Sequence, residues 1–288
     1  MNASARILAV ATAALALSTH ATITFFDASL DGAQEVPPVA TAAEGECIVA
    51  YDTVTSTLWW NVSFTGITNP VTGMHFHGPA GPGTNAGVQV NIGGISGLAS
   101  PSIGSTAITP ALASELLSGL WYVNIHSSVF PAGEIRGQVI NRGAANVVLS
   151  GAEEVPPVST PAYGAALVDF DATNGVVSWY IVYEDLSAPV TGMHFHGPAG
   201  PGTNAAVQVN IGGISGFAVP QWGTNGLSVP QSADLLSDLW YLNVHSTNFP
   251  GGEIRGQIVG IPEGCTGVAL AFCVLGVLHR AAARRRAV

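Results

Sequence analysis

The stretch "TGMHFHGPAGPGTNA" begins at Thr72 and begins again, letter for letter, at Thr191. Around it "EVPPV" recurs at Glu35 and Glu154, and "GEIRGQ" at Gly133 and Gly252, every pair 119 residues apart. A constant offset leaves no net insertion between these anchors, and a period this long denotes two whole domains rather than a solenoid of short repeats. The expected domains are residues 22–141 and 142–260, joined by a very short connection near "NRGAAN". Identity is uneven: from Val71 to Gly97, 26 of 27 residues recur in the second copy.

Inside each copy the periodicity is that of strands. "STLWWNVSFTG" alternates Leu58, Trp60, Val62 and Phe64 with Trp59, Asn61, Ser63 and Thr65, the pattern of a half-buried strand. Gly, Pro, Asn and Ser punctuate several such runs. One short helix is expected at "TPALASELLSG", with Thr109 as N-cap, Pro110 in the first turn and Gly119 as stop. The prolines of "EVPPV" remove ladder donors, which suggests an extended edge strand. The expected fold is therefore all-β: two tandem antiparallel Greek-key β-sandwiches of about seven strands, each with one short helix.

Strand parity also places the polar chemistry. His75 and His77 leave one face of their strand while Met74 and Phe76 leave the other, so an apolar core on the Met-Phe side turns both imidazoles outward. In "LWYVNIHS", Trp121, Val123 and Ile125 share a face, and Tyr122, Asn124 and His126 the opposite one. In "GEIRGQVI", Ile135 and Val139 point inward, and Glu134, Arg136 and Gln138 outward. If these strands are neighbours, His75, His77, His126, Asn124, Glu134 and Arg136 form one polar patch. The second copy offers His194, His196, His245, Asn243, Glu253 and Arg255.

Three neutral imidazoles can bind copper or zinc with a position left open, a carboxylate serving as a further ligand or as an acceptor that fixes a ring tautomer. The alternative is structural: the imidazoles bond loop carbonyls, and Glu134 pairs with Arg136. There is no GxSxG elbow, phosphate loop or CxxC pair, so hydrolase, nucleotide and thiol-redox chemistry have no support, and no catalytic residue is assigned.

Charge narrows the partners. The chain has no Lys, a formal net charge of -10, and four of its eight Arg in the last nine residues. The body is thus acidic enough to repel nucleic acid and anionic lipid. Residues 1–21 read as a secretory signal peptide: an Arg, an apolar run from Ile7 to Leu17, and a small-residue exit at Ala21. Residues 261–288 pass from Pro262-Glu263 through an uncharged run to an Arg cluster, which resembles a PEP-CTERM sorting tail. Gly264 stands where that pattern has its second Pro, so a related cysteine-containing tail or a plain anchor are the alternatives. Membrane contact is expected only through these two segments. Cys47 is the one thiol of the body, so stability must come from packing.

"LDGAQEVPPV", "TGMHFHGPAGPG" and "WYVNIHSSVFPAGEIRGQ", with their counterparts, resemble the CHRD domain named from chordin. The resemblance implies an immunoglobulin-like or superoxide-dismutase-like sandwich. It also implies an extracellular or cell-surface setting, since animal members are associated with binding growth factors of the transforming-growth-factor class. His75, His77 and His126 loosely resemble copper ligands of Cu,Zn superoxide dismutase, but no bridging His or zinc-loop Asp is present. The expected function is that of an exported, non-catalytic binding or structural module whose partner is an extracellular protein or polysaccharide. The alternative is a copper or zinc protein with one three-histidine site per domain.

Overall fold

The computed structural model describes residues 23–67, 69–144 and 147–261; the expected signal peptide and sorting tail lie outside the described residues. The first unit runs β1 (Ile23–Asp31), β2 (Glu44–Asp52), β3 (Thr57–Thr65), β4 (Val71–His77), β5 (Val88–Val90), α1 (Ile92–Ser96), β6 (Ser102–Ala107), α2 (Pro110–Leu117), β7 (Tyr122–Ser127), β8 (Ile135–Gln138) and β9 (Ile140–Ala144). Its strands form one antiparallel sheet in the order β5-β4-β7-β8-β1-β2-β3-β6, with β9 pairing β1. The second unit repeats this with β10 (Val147–Ser150), β11 (Tyr163–Asp171), β12 (Val176–Glu184), β13 (Val190–His196), β14 (Val207–Asn210), α3 (Ile211–Ser215), β15 (Gln221–Gly226), α4 (Val229–Leu236), β16 (Tyr241–Ser246) and β17 (Ile254–Gln257). Its order is β14-β13-β16-β17-β10-β11-β12-β15. The fold is all-β, with two tandem sandwich-like domains.

Each sheet folds over on itself where a single residue pair joins β8 to β1, Arg136 opposite Asp31. The β4-β7-β8 half thereby lies across the core from the β1-β2-β3 half. Parity decides what fills the space between them. Met74, Phe76, Trp121, Val123, Ile125 and Ile135 come from one half, and Phe26, Leu30, Val49, Trp60 and Val62 from the other, all in one buried cluster. Phe76 is central: its ring meets Trp60 edge-on at 6.0 Å and lies 5.8 Å from Trp121.

Three local expectations need correction. The described residues hold nine strands in the first domain and eight in the second, because the three-residue β5 and the bent continuation β9 are too short to show a period. Each domain has two α-helices, not one. The additional helix is "IGGIS", whose five residues and two glycines carry no helical pattern and whose only start signal is the Asn91 cap on Gly94. "EVPPV" is not an edge strand: a 3-10 turn over Gly32–Gln34 precedes it and it runs as a bend, with Glu35 buried. Near "NRGAAN", β9 pairs with β1 as far as Ala144, and β10 starts at Val147. The helix at Pro110–Leu117 forms as expected, with Thr109 capping Leu112 and Gly119 at φ +70.

The parity that points Trp59 away from its own core does not leave it in solvent. Trp59, Ile23, Phe25 and Ala50 on the outer face of β1-β2-β3 pack against Ala165, Tyr180 and Val182 on the outer face of β11-β12, all buried in a single cluster. Phe25 meets Tyr180 edge-on at 6.0 Å. The Tyr163 hydroxyl donates to Asp52, which is fully buried and also accepts from Val54 N and Thr55 Oγ1. The two domains therefore share an apolar seam with a polar contact from Tyr163 to Asp52 at its edge.

Phe76→Ala should destabilise the protein by about 3–5 kcal/mol in chemical denaturation, the range for emptying a buried aromatic site. Thr72→Ala, at an exposed position where a register shift opens the same strand, should stay within about 0.5 kcal/mol of the parent. A small effect at Phe76 or a large one at Thr72 would contradict the assigned faces.

Candidate metal centre

Three strands bring the histidines together. In the register of β4 with β7, His75 stands opposite Asn124, Gly73 opposite His126 and His77 opposite Tyr122, and β8 adds Arg136 opposite Asn124. The rings of His75, His77 and His126 approach with centroid separations of 5.5, 5.0 and 5.8 Å for the pairs 75–77, 75–126 and 77–126. One ring nitrogen from each lies within 4.8 Å of the others. His194, His196 and His245 repeat the arrangement.

Gly73 is what lets the rings meet. A Cβ there would sit 2.9 Å from His75 Cε1 and 3.3 Å from His126 Cδ2, so His75 folds over a bare Cα. Gly192 does the same for His194 and His245. A glycine inside a strand weakens it, which gives this one a steric reason to be present.

The ring nitrogens divide into two sets. His77 Nδ1 is 3.0 Å from the Ala86 carbonyl and His126 Nδ1 is 3.1 Å from the Pro131 carbonyl, and a carbonyl can only accept, so each Nδ1 carries the proton. Both Nε2 atoms then present lone pairs. They are buried without a hydrogen-bond partner, as is His75 Nδ1. In the second domain His196 and His245 are tied in the same way to the carbonyls of Ala205 and Pro250. There His194 Nδ1 lies 3.1 Å from His245 Nε2, and since the His245 proton is on Nδ1, His194 Nδ1–H is the donor.

Burial keeps these rings neutral. Desolvation lowers the pKa of all six, reinforced at His75 by His77 and at His77 by the Arg136 charge despite its carbonyl bond. His126 falls to about 4, through desolvation first and the His75 ring second, and His194 also falls to about 4.

The histidines face away from the core, and four of them, His75, His126, His194 and His245, are partly exposed. His77 and His196 are each 9% exposed, because the "GPAGPGTNA" loop lies over them. Arg136 holds that loop with Nη1 on Asn85 Oδ1 at 3.1 Å and Nη2 on the Thr84 carbonyl at 2.8 Å. Asn85 Nδ2 reaches the Val36 carbonyl, and Gln138 Nε2 the carbonyls of Ala80 and Gly119. Arg255, Asn204 and Gln257 make the equivalent bonds in the second domain.

Glu134 and Glu253 do not join the histidines. Gly133, at φ +137, interrupts the alternation just before β8. Glu134 accepts from Thr41 Oγ1, and Glu253 from Thr160 Oγ1 and the Ser187 amide. Burial raises the Glu253 pKa, but the hydrogen bonds of Ser246, Ser187 and Thr160 together outweigh it and hold the carboxyl below its usual range. The carboxylate that does sit on the histidine face is Glu35, with Glu154 in the second domain. It accepts from Asn124 Nδ2 at 3.4 Å and fills, with Asn124, the space a Gly133 side chain would need. Desolvation outweighs the Arg136 charge and raises Glu35 to about 7, and Glu154 likewise. The signal for Glu35 was its place in a repeated motif, masked by the prolines that follow it.

A family model described as the CHRD domain matches residues 26–139 and again 145–258. The chain belongs to the CHRD family. Each CHRD domain thus carries its own histidine triad, formed within that domain. No curated protein and no solved structure matches the chain.

Histidines with lowered folded pKa values contribute stability that is present above their unfolded pKa near 6.5 and is lost as pH falls toward 4. Glu35 and Glu154, with raised values, act oppositely between about 4.5 and 7, so the comparison must be between variants. Metal-free His126→Gln/His245→Gln protein should show a shallower fall in melting temperature from pH 6.5 to pH 4 than the parent. Equal slopes would contradict buried neutral imidazoles.

Proposed function

We propose that the protein is a non-catalytic two-domain module that holds one copper or zinc ion in each CHRD domain. The observation that carries this reading is the set of three neutral ring nitrogens in the first domain, buried, unpartnered and directed at one another. The ligand atoms would be Nδ1 of His75 and Nε2 of His77 and His126, with the corresponding atoms of His194, His196 and His245 in the second domain. The donors suit the ion: imidazole favours copper and zinc, and tautomers fixed by carbonyl acceptors are the usual surroundings of a metal-binding histidine. Small ring rotations bring nitrogens at this spacing to the roughly 2.0–2.1 Å that Zn–N bonds require. At His194 the ring proton must first move to Nε2, which frees Nδ1.

The purely structural reading accounts for the two Nδ1–carbonyl bonds. It gives no partner to the nitrogens on the other side of the rings, and unpartnered buried polar atoms are costly. It also gives no reason for Gly73 to lie beneath two imidazoles. The metal would supply a strongly bound cross-link between β4 and β7, with an open coordination position. Export, display at the cell surface and binding of an extracellular protein or polysaccharide belong to the same proposal, supported by the terminal sequences and the acidic, lysine-free body.

Purified full-length protein should contain about two equivalents of copper or zinc by elemental analysis, matching the two triads. Changing His75, His77 and His126 to Ala should leave one equivalent, and changing all six histidines should leave none. Metal at 100 times its Kd should stabilise the parent by about 2.7 kcal/mol. Metal-free protein whose melting temperature is unmoved by copper and zinc would sink the reading. Gly73→Ala gives a finer test: displacing His75 should weaken metal binding in the first domain by about 10-fold or more, the scale seen when a supporting residue is lost, while the domain stays folded.

A further inference from the structure

Tyr122 has a place in the first site that neither core packing nor metal ligation accounts for. Its ring lies parallel to that of His77, 9° apart in plane and 5.0 Å between centroids. The Arg136 guanidinium covers the same tyrosine ring at 3.5 Å. A stacked column therefore runs from a fixed cation, through a phenol, to a ring placed to bind the metal. The phenol oxygen accepts from the Ala86 amide at 3.0 Å and donates to the Ala86 carbonyl at 3.3 Å. That carbonyl is the one that receives the His77 Nδ1 proton. The second domain repeats every element: Tyr241 on His196 at 4° and 5.0 Å, Arg255 at 3.4 Å over Tyr241, and the Tyr241 hydroxyl on both groups of Ala205.

Two donors on one carbonyl oxygen compete. The hydroxyl draws on the electron density that would otherwise strengthen the Nδ1–H bond, and the strength of that bond sets how basic the opposite nitrogen is. Resting on the metal reading above, the geometry points to Tyr122 and Tyr241 as positioning residues that hold down the donor strength of His77 and His196 through a shared carbonyl. A less basic imidazole favours Cu(I) relative to Cu(II), because the higher charge gains more from a strong donor. The tyrosines therefore bias a bound copper toward its reduced form. Arg136 acts in the same direction, since its charge disfavours further positive charge on the stacked ring.

The test is the pair Tyr122→Phe/Tyr241→Phe in the full chain, which keeps both stacks and removes only the hydroxyls. In long-range 1H–15N spectra of metal-free protein, the Nδ1 protons of His77 and His196 should move downfield as their bonds to Ala86 and Ala205 strengthen. With copper, the ratio of Cu(II) to Cu(I) affinity should rise by about threefold or more, a modest fraction of the effect of losing a supporting residue. A folded variant with unmoved Nδ1 protons overturns the proposal. So does an equal loss of both affinities, the result of a merely looser loop. If the parent takes up no copper, the metal reading fails, and the proton shift alone decides whether the tyrosines act on these rings. Tyr122→Leu/Tyr241→Leu, which also removes the stacks, should weaken both affinities and leave the rings free to reorient.

Discussion

The structure depends on the two-sidedness of one strand. β4 drives Met74 and Phe76 into a core closed by Trp60 and Trp121, and every residue it buries there fixes the position of a histidine on its other face. The core supplies the stability and the histidines inherit its precision. β7 does the same with Val123 and Ile125 against Asn124 and His126. Because both strands are clamped by the same apolar cluster, backbone register brings the imidazoles together, and their bonds to loop carbonyls then fix the rings. That is the kind of rigid support a metal site needs, since its geometry must be held before the ion arrives.

The repeated "GPAGPGTNA" segment completes what the strands begin. Its carbonyls fix the His77 tautomer and engage Arg136, Gln138 and Tyr122, so most of its backbone has an assigned partner. Arg136 is only 1% exposed. Its charge is offset by the stacked tyrosine, two oxygen acceptors and the nearby Glu35. This layer gives a physical reason for the stretch to stay alike in two copies whose other parts have diverged: Gly78, Ala80, Thr84, Asn85 and Ala86 all bond to residues of the strands or loops around the histidines.

The domains meet through the half-sheets that carry no histidines. Each domain therefore has one outer face committed to the seam and the opposite outer face committed to the site. Each triad is built from the strands of one domain alone. The seam is not a repeat of a single surface, since Asp52 and Tyr163 meet across it in an arrangement without a symmetric counterpart among the described contacts.

Much of this was legible in the sequence, because period-two alternation maps directly onto the faces of a strand. The domain repeat follows from the constant offset between recurring motifs, and the all-β class and the shared face of His75, His77 and His126 follow from the alternation rule. It failed at Glu134, where Gly133 leaves the strand conformation, and at Glu35, whose position comes from a bend with no period. Trp59 marks the same boundary from the other side: its parity was readable, yet only the packing of β1-β2-β3 on β11-β12 shows what covers it. The sequence by itself determined which residues share a face. Which faces meet, and what lies over them, was decided by the tertiary structure, because non-local pairing and loop placement depend on contacts between segments far apart in the chain, and local periodicity holds no record of those.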